Sequence, residues 1–104
     1  MIDERDIEKA VTWLVESATE AAQARANREY MDEYRKTLRA TIMAENKSQP
    51  LAAQERDAMS DPRYIAHLEA FKEAVQQDER MRWLRIAAET KISVWQSQQR
   101  AIRP

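Results

Sequence analysis

Across 104 residues this chain has no glycine, and only Pro50, Pro62 and Pro104 can interrupt a helix. An average sequence of this length would carry about seven glycines. Only those prolines can break a helix, so long uninterrupted helices are favoured. Ala, Glu, Gln, Arg, Leu and Met fill the gap, the residues that lose least free energy in a helix. The chain reads as all-α.

Helix boundaries can be placed from capping chemistry. Asp3 is an N-cap with Asp6 three residues on, and Ile2 and Ile7 stand at the two positions of a hydrophobic staple. Ile7, Val11, Leu14, Ala18, Ala21 or Ala22, Met31, Tyr34, Leu38 and Ile42 then recur at three-to-four spacing, predicting one helix over about 3–45. "AENKSQP" ends it, and a corner with a short helix follows over about 46–60. Asp61 and Pro62 are a cap and a first helical residue, opening a second long helix over about 62–101. Its apolar positions are Tyr64, Leu68, Phe71, Val75, Met81, Leu84, Ala88, Ile92 and Trp95.

Two helices of this length joined by a short connecting helix predict an antiparallel helical hairpin in one domain, with Met31 opposite Val75 and Leu14 opposite Ile92. A pair alone has a thin core, so the hairpin is expected to homo-oligomerise as a coiled coil or bundle. Met81 and Trp95 on the apolar stripe, and Asp78 where the stripe should carry an apolar residue, are the candidate oligomer contacts. Asp78 can also pair with Arg28 or Arg25 across the hairpin, setting register at some cost in stability.

Catalytic chemistry is poorly supplied. There is no cysteine and a single histidine, His67, without a carboxylate one helical turn away to orient it. No Glu-x-x-His motif or glycine-rich phosphate loop occurs, and the carboxylates recur at helical spacing like a solvated face. No catalytic residue, metal ligand or cofactor is assigned, and the chain is expected not to be an enzyme. The acidic start "MIDERDIEKA" does not resemble a signal peptide, and no run reaches the ~18 apolar residues a membrane span needs. A cytoplasmic protein with no membrane partner is expected.

Charge is uneven beneath a net value of −1. Residues 1–20 hold six acids against two bases, whereas residues 80–104 hold six bases against one acid. Within "MRWLRIAAETKISVWQSQQR", Trp83 is set among Arg80, Arg82, Arg85 and Lys91. Aromatic rings among cations suit single-stranded nucleic acid, because bases stack on the ring while phosphates release counterions. Equally, the cations can offset the acidic first helix while Trp83 buries itself in an oligomer contact, and both readings stay open. A second cluster, "EYRKTLRA", supplies Arg35, Lys36 and Arg39. The two clusters are far apart along the hairpin, and an oligomer would be needed to join them.

The segments "YRKTLRA", "DPRYIAHLE" and "ISVWQSQ", within about residues 30–100, resemble small helical proteins encoded beside single-strand-binding and recombination genes in tailed bacteriophages, and more loosely phage recombination mediators of the UvsY type. The resemblance implies a small helical oligomer that binds single-stranded DNA through basic residues and loads a recombinase onto strands coated by single-strand-binding protein, in the host cytoplasm. On this chain Arg35, Lys36 and Arg39 match the family's basic first-half cluster. The chain departs from the family in being shorter, nearly neutral and without a lysine-rich segment. A protein–protein adaptor or inhibitor of a host or phage protein, docking through the long helices, is the alternative function.

Overall fold

Asp3 opens the first helix. Its carboxylate accepts from the Asp6 N–H at 3.0 Å while the Asp6 carboxylate accepts from the Asp3 N–H at 3.2 Å, so each satisfies a donor that the helix start leaves unpaired. In the computed structural model, which describes residues 1–103, four helices follow: α1 (Glu4–Glu16), α2 (Ala18–Ala44), α3 (Leu51–Ser60) and α4 (Pro62–Ile102). There is no strand among the described residues. Asp61 caps α4 by accepting from the Arg63 N–H at 2.8 Å, with Pro62 at the first position. At 41 residues α4 is about 60 Å long. No helix among the described residues is long and apolar enough to cross a membrane.

The helix expected over about 3–45 is two. Ser17 divides it, with ψ of −2° where a helix holds about −42°. The interruption is one residue deep, because the Ser17 N–H still reaches the Trp13 carbonyl and the Ala21 N–H still reaches the Ser17 carbonyl, both at 2.9 Å. Serine prefers a helix less than alanine does, and here it occupies a buried position among alanines.

Both α1 and α2 pack on α4 and run opposite to it. The Ile2 N–H donates to Gln98 Oε1 at 3.4 Å, Arg28 Nη1 to Asp78 Oδ2 at 3.1 Å, and Arg63 to both Glu45 oxygens at 2.9 and 2.7 Å. The molecule measures 79 × 21 × 15 Å. At one end α3 closes the corner between α2 and α4: Ala58 is fully buried against Ile42 and Tyr64, with Leu38 and Met43 packed alongside. Among the described residues the buried apolar set has eight members, five of them alanine, so the helices approach closely but enclose little apolar area.

The stripe that faces inward is only partly the one apolarity predicts. The least exposed residues of α1 and α2 are Ala10, Leu14, Ser17, Ala21, Ala24, Arg28, Met31, Arg35, Leu38 and Ile42, in strict alternation of three and four. On α4, Tyr64, His67, Phe71, Ala74, Asp78, Met81, Ala88, Ile92 and Trp95 keep the same heptad phase. Val11, Ala18, Tyr34, Leu68 and Leu84 were expected inside and are exposed. Ser17, Arg28, Arg35, His67 and Asp78 take core-facing positions instead, and polar residues there disguise the repeat. The expected opposition of Met31 and Val75 is also replaced: the Met31 carbonyl lies 2.7 Å from His67 Nε2, two turns away from Val75.

Candidate nucleic-acid interface

Heptad phase decides which cations share a side. On α2, Lys36 is eleven residues and Arg39 fourteen residues after Arg25, placing all three within about 60° of one another around the helix. Arg25 lines a groove of about 500 Å³ with Arg82 and Arg85, floored by Leu14, Ala21 and Met81. Further along that side, Arg35, Lys36 and Arg39 surround a second hollow of about 380 Å³ with Tyr64. Both hollows therefore open on one side of the chain, with Arg39 about 21 Å from Arg25 by helical rise. Arg25 is the connecting cation that the sequence reading missed, and its fourteen-residue spacing from Arg39 is the signal that finds it.

Arg80 and Lys91 are not part of this side. Lys91 is nine residues from Arg82, half a turn around α4, and lines a shallow hollow with Lys9, Trp13, Leu84 and Ala87. Arg80 lies on that side too, two residues before Arg82. Trp83 stands between the two sides on the outer face of α4, 59% exposed, with the Arg82 guanidinium 5.4 Å from its ring centroid. This is a cation–π geometry that also keeps the ring among cations.

Most of these cations have a carboxylate beside them. Arg35 Nη2 is 3.1 Å from Asp32, Lys36 Nζ 3.3 Å from Glu33, Arg39 Nη2 3.5 Å from Glu55, Arg82 Nη1 3.3 Å from Glu79 and Arg85 Nε 4.0 Å from Glu89. Pairs this exposed are weak, because water screens them and two flexible side chains must be held, so phosphate can compete for the cations. The Nε atoms of Arg35 and Arg39 and the indole Nε1 of Trp95 are buried without a hydrogen-bond partner among the described residues.

The expected copy–copy contacts sit within one chain. Met81 is 3% exposed and Asp78 8%, both facing α1 and α2, and Trp95 is half-buried on the same stripe. Asp78 accepts from Arg28 at 3.1 Å and lies 3.8 Å from Arg25. Arg28 Nη1 also donates to Glu79 at 3.0 Å. Hydrogen bonds from Glu79 first and Asp78 second push the Arg28 guanidinium above its ordinary range, and Arg28 in turn holds the Glu79 carboxyl low. His67 touches the Met31 carbonyl and the Tyr34 ring, at 5.4 Å between centroids, with no carboxylate bonded to it among the described residues. No three His, Asp or Glu side chains gather into a metal-binding group among the described residues.

Set against known proteins, the chain matches no family model, no curated protein and no solved structure.

Proposed function

We propose that this protein is a non-enzymatic phage accessory factor of DNA recombination or replication, an antiparallel helical hairpin that self-associates and binds single-stranded DNA or a recombination protein already on it. The observation that carries the reading is Trp83, an exposed ring under an arginine, at the edge of the side that bears Arg25, Arg82, Arg85, Lys36 and Arg39. Base stacking on such a ring contributes about 1–3 kcal/mol, and each phosphate neutralised adds salt dependence. Titration of labelled oligo(dT) at 50 mM salt and micromolar protein tests it. Salt-sensitive binding that weakens in the Arg82→Ala/Arg85→Ala double variant is the expected result, and no binding overturns it.

A second reading, a protein–protein adaptor or inhibitor, is favoured by the carboxylates beside five of the candidate cations and by the exposed Val15, Tyr30 and Ile65. Failure of the oligo(dT) titration leaves this as the working function.

A further inference from the structure

The exposed flank of α1 and the start of α2 carries a stripe at heptad spacing: Glu4, Glu8, Val11, Val15, Ala18, Ala22, Arg25 and Glu29, all exposed. Val15 is 72% and Val11 47% exposed, on the side where the groove beside Arg25, Arg82 and Arg85 opens. At the other end of the molecule that side is partly covered by α3, which reaches Arg39 through Glu55. Over α1 no helix among the described residues plays this part.

The stripe is its own complement when reversed. Laid antiparallel on itself about the midpoint between Glu16 and Ser17, it sets Val11 against the partner's Ala22, Val15 against the partner's Ala18 and Glu8 against the partner's Arg25. Large apolar groups then meet small ones, and an acid meets a cation, at every inner position. Two-fold symmetry doubles each of these contacts, as an isologous interface requires. Glu8 has no ion pair within the chain among the described residues, and the Arg25 side chain is largely in solvent beside Glu29. The flank is about 38 Å long by helical rise.

We infer that a second copy of this chain docks here, α1 against α1 in antiparallel sense, with the two-fold axis at the Glu16–Ser17 step. This deepens the self-association in the proposed function and names its surface, which differs from Met81, Trp95 and Asp78. The outermost contact sets Glu4 near the partner's Glu29, the one unfavourable pair in the arrangement.

Sedimentation equilibrium on the full chain tests it, with far-UV circular dichroism confirming helicity. The wild type is expected to be a dimer at micromolar concentration. Val15→Arg should weaken it at least a hundredfold, while Val94→Arg, on the opposite side of α4, leaves it unchanged. Glu8→Arg and Arg25→Glu should each weaken it about tenfold and together restore most of the loss. Glu4→Lys should tighten it several-fold, a gain that misfolding cannot mimic. A monomer at every concentration, or an assembly indifferent to Val15→Arg, overturns the inference. Dimerisation without oligo(dT) binding removes the DNA reading alone.

Discussion

Trp83 and Asp78 are five residues apart on α4 and illustrate opposite fates for side chains that stand out in sequence. Trp83 points to solvent and bears little packing, so Trp83→Ala should change stability by no more than about 0.5 kcal/mol. The same substitution should weaken oligo(dT) binding about tenfold, one stacked base's worth, read by fluorescence anisotropy at constant salt. Asp78 is buried and answers Arg28, and Asp78→Ala leaves that guanidinium with Glu79 as its remaining acid. The expected outcome is a lower melting temperature by circular dichroism, with Asp78→Asn intermediate because it keeps an acceptor but loses the charge. Asp78 was legible as an oddity on the stripe, and its pairing with Arg28 or Arg25 followed from antiparallel register. The exposure of Trp83 was not, because a tryptophan one position off a stripe faces out or inward depending on what packs next to it.

Among the elements, α3 is held at the corner through Ala58, which is fully buried against Ile42 and Tyr64. Ile42→Ala truncates a buried aliphatic side chain of the corner cluster and should cost about 2–5 kcal/mol in denaturant unfolding. The α2–α4 corner is also clasped by Arg63, which donates to Glu45 and to Asp61. Hydrogen bonds from Arg63 hold both carboxyls below their ordinary values, 4.5 for Glu45 and 3.8 for Asp61. Folded-state values below unfolded ones mean that the clasp contributes fully above about pH 4.5 and is lost as pH falls through that region and below. Thermal melts between pH 6 and 3 should show the wild type losing this increment on acidification, and Glu45→Gln should flatten part of the dependence. The capping residues Asp3 and Asp61 could be read directly, since a cap acts within three residues of itself. The break at Ser17 could not, because its position depends on which residues α4 presses against.

For the whole molecule, the side shared by Arg25, Lys36, Arg39 and Arg82 predicts that neutralising cations there acts evenly on DNA of any sequence. Arg39→Gln and Arg82→Gln should each lower the slope of log affinity against log salt by about 1, whereas Lys91→Gln, half a turn away, should leave it unchanged. The sequence by itself determined that the chain is helical, where α4 begins and which segments are acidic or basic, because missing glycine, caps and local charge act over a few residues. Only the tertiary structure decided which stripe is buried and therefore which side every cation occupies. Burial depends on what the opposing helix supplies, and a heptad seam accepts Arg28 against Asp78 as readily as Leu38 beside Ile42 once the partners are in register. A shift of one residue rotates a helix face by about 100°, so small errors in choosing the inward stripe move Val11 from core to surface.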